Sequence, residues 1–84
     1  MNEVKWEITE VWYDAEWDAW MITAYDDEGN QACDSEYEYR KLDAENTGRA
    51  YLNSGRCDTV HVYTKDGTRS KTLQRPAKSV GASP

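Results

Sequence analysis

The chain has 84 residues, enough for one small domain but too few to enclose a large catalytic cleft. Its net charge of −6 disfavours direct binding to nucleic acid. Two cysteines are too few for a secreted disulfide framework, and no run of about 20 apolar residues could cross a membrane. We therefore expect a cytoplasmic protein with reduced cysteines, no signal peptide and no membrane contact.

The first predicted strand has a period-2 pattern. Val4, Trp6 and Ile8 alternate with polar residues, which is typical of a half-buried strand, and Trp6 and Ile8 are predicted core residues. The apolar phase then shifts to Val11. This shift predicts a β-bulge next to Thr9, because a one-residue slip would otherwise turn the side chains to the opposite face.

The stretch Val11–Glu28 holds three of the four tryptophans and six of the sixteen acids, with no Lys or Arg. Its residues 14–18 predict a hairpin turn, with Trp17 folded back over the sheet. Trp20 and Ile22 alternate with other side chains after this turn, so they predict a second strand that faces the core.

A second turn is predicted at Asp26–Asn30, where Gly29 can adopt a positive φ. The following segment, Gln31–Arg40, alternates again and predicts a third strand. It is weakly apolar and carries several charges, which is typical of an edge strand.

The period changes after Lys41, where a helix over residues 44–54 is predicted, with Asp43 as its N-cap and Gly55 as its C-terminal stop. Gly48 inside this helix predicts a close approach to the sheet, beneath a Trp ring. The face predicted to be buried consists of Ala44, Gly48, Tyr51 and Leu52.

Two further strands are predicted at residues 57–64 and 69–74, joined by a tight turn with an Asp-Gly pair. The polar tail, residues 75–84, is predicted to be disordered. Residues 1–74 thus predict a single α+β domain of order β-β-β-α-β-β. Its antiparallel sheet has four to five strands, with one helix packed on one face.

No sequence motif indicates catalysis. His61 is the only histidine, and Cys57 lies four strand residues away, about 13 Å, which is too far for a hydrogen bond. A Cys–His pair would need Cys33 from another strand. The acids of Asp26–Glu28 lack the spacing of a calcium-binding loop. We therefore expect no catalytic residue, metal or cofactor, and no enzyme activity.

Direct nucleic-acid binding is the less favoured alternative. Basic residues of the later half flank a strand that carries Tyr63, a combination typical of single-strand binding. The alternative role for these bases is to pair with the acidic first hairpins of the same sheet. The residues concerned are Arg56, Lys65, Arg69, Lys71 and Arg75.

The charge is distributed unevenly along the chain. Twelve acids and one base precede Arg40, whereas four acids and nine bases follow from Arg40 onward. An acidic, ring-rich first half favours binding to a basic protein partner. The predicted partner-binding residues are Tyr13, Glu16, Trp17, Asp18, Asp26, Asp27 and Glu28. The alternative function is a small accessory or structural domain that self-associates through exposed Trp and Tyr rings.

In length, charge and β-β-β-α-β order, the chain resembles small acidic phage or prophage anti-defence proteins, including anti-CRISPR and DNA-mimic types. The resemblance implies an inhibitor or adaptor of a larger, nucleic-acid-handling partner. The carboxylates before Arg40 would then imitate a track of phosphates. No signature residue is shared, so the resemblance assigns no role to any single position.

Overall fold

The computed structural model describes residues 6–74. Val4 of the first predicted strand and the predicted disordered tail therefore lie outside the described residues. One helix and five strands are present in this range, and the predicted α+β class is confirmed. The elements are β1 (Ile8–Asp14), β2 (Ala19–Tyr25), β3 (Glu36–Glu38), α1 (Lys41–Asn53), β4 (Thr59–Tyr63) and β5 (Arg69–Gln74).

The five strands form one sheet in the order β3-β2-β1-β4-β5. Three of the four neighbouring pairs are antiparallel, as predicted. The β1–β4 pair is parallel, so the sheet is mixed rather than wholly antiparallel. The parallel pair arises because α1 carries the chain back along the sheet before β4 begins, so that β4 runs in the direction of β1.

The predicted bulge in β1 is wrong. The register of β1 against β2 runs without a break from Ile8 to Asp14. Thr9 is fully buried and occupies the inward phase together with Val11. The sequence pattern suggested a slip because the inward residue at this position is a threonine and not an aliphatic residue.

The core lies between the sheet and α1. Val11, Ile22, Val60 and Val62 contribute its sheet side, and all four are at most 2% exposed. The prediction that Trp20 and Ile22 belong to the core is confirmed. Two other predicted core residues, Trp6 and Ile8, are half-buried, and the Trp6 ring packs edge-on against Tyr51 at 5.0 Å between centroids.

The four residues predicted for the buried face of α1 are all buried. A Cβ at Gly48 would lie 3.0 Å from Cγ1 of Val60, so the predicted close approach to the sheet is confirmed, with a valine instead of a Trp ring. The helix begins at Lys41, and no side-chain cap is present, so the prediction of Asp43 as N-cap is wrong. Asp43 lies in the first turn, where its negative charge interacts favourably with the positive end of the helix dipole. Gly55, with φ +80°, ends the helix as predicted.

The two edge strands differ in how well they were predicted. The third strand is much shorter than the predicted Gln31–Arg40. Only residues 36–38 pair with β2 as a strand, apart from a single bridge between Gln31 and Tyr25. The fifth strand matches its prediction. It is anchored by Leu73, which packs against the core, and by Lys71, whose Nζ lies 3.1 Å from a carboxylate oxygen of the buried Glu45 on α1.

Candidate binding surface at the β1–β2 turn

The sheet has one face covered by α1 and one open face. Because successive side chains of a strand alternate, the strand residues between the core positions point to the open face. This face carries Trp12, Tyr25 and Tyr63, all half-buried. The polar atoms of two of these rings are bonded, since Trp12 Nε1 donates to Thr23 Oγ1 at 3.1 Å and the Tyr63 hydroxyl donates to Glu10 at 3.3 Å.

The open face ends in a groove of about 380 Å³ next to the β1–β2 turn. Three of its lining rings are unusually exposed for their size: Trp17 at 72%, Tyr39 at 71% and Tyr37 at 56%. We call this feature the ring groove. Its lining residues are Trp17, Ala19, Met21, Tyr37 and Tyr39.

The ring groove is assembled by strand pairing. In the β2–β3 register Met21 lies opposite Tyr37, which places both on the open face. The Tyr37 and Tyr39 rings lie 5.5 Å apart between centroids and are inclined at 73°. A hydrogen bond with Tyr37 raises the pKa of Tyr39 above its ordinary value. The two rings therefore form one corner of the groove.

The β1–β2 turn presents Trp17 outward. Asp14 accepts a hydrogen bond from the backbone N–H of Glu16 at 3.0 Å, and Asp18 has a φ of +52°. Asp tolerates this left-handed region better than most residues. The predicted turn is therefore confirmed, whereas Trp17 is mostly exposed and lines the groove instead of covering the sheet.

Tyr13 has a structural position beside this turn. Its ring packs against Trp20 at 5.2 Å between centroids, and its hydroxyl donates a hydrogen bond to Asp18. This bond, together with burial and the nearby negative charges, raises the pKa of Tyr13. Tyr13 thus orients the turn that carries Trp17.

The predicted partner-binding residues fall at the two ends of the sheet. Tyr13, Glu16, Trp17 and Asp18 are brought together at the β1–β2 turn, but Asp26–Glu28 lie at the opposite end of β2. Seven strand residues separate the two turns, a span of about 20 Å.

The distal acidic turn, residues 26–30, is held together by hydrogen bonds to the Asp26 side chain. Asp26 accepts hydrogen bonds from the backbone N–H groups of Glu28 and Asn30, both at 2.9 Å. Gly29 adopts a φ of +83°, as predicted for this turn. Asp26 therefore stabilises the turn, while Asp27 and Glu28 are exposed beside it.

No Lys or Arg of residues 6–74 forms an ion pair with an acid of the first hairpins, so the predicted pairing is wrong in this range. Each of the seven Lys and Arg residues between positions 6 and 74 contacts a ring or a helix carboxylate instead. Four lie 4.7–6.0 Å from a ring centroid. The contacts are Lys41 with Trp20, Arg56 with Trp6, Lys65 with Tyr13, Arg69 with Tyr63, Arg40 with Asp43, and both Arg49 and Lys71 with Glu45.

The carboxylates of the β1–β2 turn consequently keep their charge exposed to partners. Asp14, Glu16 and Asp18 form no ion pair within residues 6–74. They lie within five residues of one another and next to Trp17 in the chain. The turn that presents Trp17 to the ring groove thus carries three carboxylates without an ion pair in the described range.

The arrangement of His61 and the cysteines does not form a nucleophile–base pair. His61 Nδ1 lies 3.2 Å from Thr72 Oγ1, and burial together with the charge of Arg69 lowers its pKa. Cys33 lies just after Gln31, which forms a bridge to the outer edge of β2, whereas His61 lies on β4. Strands β2 and β1 therefore separate the two residues. Three strand spacings place Cys33 about 14 Å from His61. No group of three His, Cys, Asp or Glu side chains in residues 6–74 could hold a metal ion.

Sequence reasoning missed most of the ring groove. The alternation of Gln31–Arg40 indicates that Tyr37 and Tyr39 share one face of the predicted edge strand, but only the β2–β3 register joins Met21 to them.

The helix in the described part of the chain is too short and too polar to cross a membrane. No protein-family model, curated protein or solved structure matches this chain.

Proposed function

We propose that this protein is a small acidic binding module that docks on a basic surface of a larger protein. One observation carries the proposal. Three largely exposed rings line a single groove beside carboxylates that have no cationic partner within residues 6–74. Trp and Tyr are enriched at the energetic centres of protein interfaces, and opposed charges accelerate and orient association.

The dimensions of the domain are consistent with one interface. A standard interface of about 800 Å² per partner is about 30 Å across, which exceeds the span of β2. An interface that spans β2 from end to end could therefore include both the ring groove and the exposed Asp27 and Glu28 of the distal turn. In this arrangement the rings lie towards one end of the interface and the distal acids belong to its polar rim.

The proposed role is inhibition or adaptation of a nucleic-acid-handling protein in the cytoplasm, of the kind that phage anti-defence proteins target. The similarity in length, charge and element order supports this role. The charge balance supports it further, because residues 6–74 carry fifteen acids and seven bases. A basic groove that normally binds phosphates would fit such a surface.

Charge reversal at matched positions tests the proposal. The protein is used to capture its partner from the native host at low and high salt, with Glu16→Lys and Glu28→Lys as the matched pair. Both residues are exposed and lie in turns at opposite ends of β2. We expect one basic protein to be captured at low salt, to be lost at high salt, and to be lost with Glu16→Lys more than with Glu28→Lys.

Two results would contradict the proposal. The first is capture that ignores both salt and the Glu16 charge. The second is the absence of any partner while the protein sediments as a dimer whose formation needs Trp17, which would favour self-association through exposed rings.

A further inference from the structure

The ring groove has the composition of a site for a cation. Tetraalkylammonium groups, lysine and arginine are attracted to the faces of Trp and Tyr rings, and several rings around one cation act together. Here Trp17, Tyr37 and Tyr39 line one groove, and two of these rings stand at 73° to each other. Two inclined rings can each turn a face to a single inserted cation, which the negative face of a ring attracts.

The rest of the domain shows how its rings are used. Trp6, Tyr13, Trp20 and Tyr63 each have a Lys or Arg group of the same chain within 6.0 Å of the ring centroid. Six rings have no such contact within residues 6–74, and the three exposed ones among them are the rings of the groove. A cation that packs on the groove rings would therefore come from outside the described residues.

Charge complementarity selects the occupant. The neighbouring carboxylates of Asp14, Glu16 and Asp18 form no ion pair within the described range, so they favour a positively charged group over a neutral apolar one. We infer that the ring groove holds the side chain of an arginine or lysine from the basic partner protein, clasped by Trp17, Tyr37 and Tyr39. This inference rests on the proposed function and names the chemical group that the site recognises.

The inference separates ring recognition from simple charge attraction. If the acids alone attracted the partner, the site would bind any basic peptide in proportion to its charge, whether or not Trp17 were present. If the groove were only apolar, a neutral side chain of the same shape would bind equally well. A clasped cation requires both the positive charge of the ligand and the π face of the protein.

A pair of capped tripeptides provides the test. Gly-Arg-Gly and Gly-citrulline-Gly have side chains of nearly the same shape, but only the first is charged. Each is titrated to millimolar concentration into the full-length protein, and binding is followed by NMR through the Trp indole N–H signals. The signal that disappears in Trp17→Leu identifies Trp17. We expect the arginine peptide to bind about tenfold more tightly and to shift the Trp17 signal more than the Trp12 signal.

Two variants separate the contributions of ring and charge. Trp17→Leu keeps an apolar side chain but removes the π face, and Glu16→Gln removes a rim charge but keeps every ring. Both positions are exposed, so both variants are expected to fold. We expect Trp17→Leu to reduce the tenfold preference for arginine over citrulline to about threefold or less, whereas Glu16→Gln weakens the arginine peptide by less than about threefold and leaves the citrulline peptide unchanged.

Equal binding of the two peptides, or binding of neither, would overturn the cation site. Survival of the full arginine preference in Trp17→Leu would show that the Trp17 ring does not contribute to it and would also overturn the site. These outcomes leave the proposed function standing if the captured partner still depends on Glu16 and salt. Conversely, loss of that dependence refutes the proposed function whatever the peptides do.

Discussion

Thr9 is a buried polar residue whose environment makes it a weak point of the core. It is 0% exposed, and its hydroxyl has no hydrogen-bond partner within residues 6–74. A buried hydroxyl without a partner loses its bonds to water and gains nothing in return. Thr23, on the same sheet, is 3% exposed, but its hydroxyl accepts from Trp12 Nε1 and lies 2.6 Å from Ser35 Oγ.

These two threonines give a matched prediction. Thr9→Val keeps the shape of the side chain and removes the unpaired hydroxyl, so we expect the free energy of unfolding to rise by about 1 kcal/mol. Thr23→Val removes a bonded hydroxyl and is expected to lower it by about 1 kcal/mol. Urea unfolding of the three proteins checks both values. Equal destabilisation by the two substitutions would contradict this account of Thr9.

Thr9 also explains one limit of sequence reasoning at this scale. An inward threonine breaks the apolar alternation, and the pattern was therefore interpreted as a bulge. In contrast, Trp20 and Ile22 were correctly assigned to the core, because large apolar side chains in a small acidic chain have few other places to go.

The helix α1 depends on a close approach to the sheet. At Gly48 an added Cβ would lie 3.0 Å from Cγ1 of Val60 and 3.7 Å from Cγ2 of Val11. Both valines are 0% exposed and are enclosed by other core residues. They therefore have little freedom to move away from an added methyl group.

Gly48→Ala tests this packing. Helix propensity alone would stabilise the alanine variant by about 1 kcal/mol. We expect the overlap with Val60 to outweigh this gain, with a net loss of about 1 kcal/mol in the free energy of unfolding. Asn46→Ala on the exposed side of the same helix is the control, with an expected gain of about 0.5 kcal/mol in chemical denaturation. If both variants were more stable than the parent protein, α1 could move away from the sheet at little cost in free energy, which would contradict this prediction.

Helices and strands were predicted correctly where the local sequence pattern indicates the same boundaries and buried face as the tertiary contacts. The buried face of α1, its glycine stop and the fifth strand follow directly from periodicity and turn residues. The third strand could not be bounded, because its alternating residues are mostly polar and pairing extends only opposite Trp20, Met21 and Ile22. The parallel β1–β4 pair depends on where β4 inserts into the sheet, which no local pattern specifies.

Over the whole molecule, the sequence predicted the acidic, ring-rich hairpin as the functional region but could not predict its division between two ends. The register brings Tyr37 and Tyr39 to Trp17 and leaves Asp26–Glu28 about 20 Å away. The distribution of charge along the chain also did not predict which groups the basic side chains contact. The basic residues of the later half contact rings and helix acids of the domain, which a sequence count cannot reveal.

The affinity of Trp17→Ala for the captured partner is the most direct test of the central claim, that the ring groove is a binding surface. Leu42→Ala is the matched control, because Leu42 is also exposed, at 61%, but lies on α1 away from the groove lining. We expect both variants to unfold within about 0.5 kcal/mol of the parent protein. Trp17→Ala should weaken partner binding at least about tenfold, and Leu42→Ala should leave it unchanged. Unchanged affinity in Trp17→Ala, or a large loss of its stability, would contradict the claim.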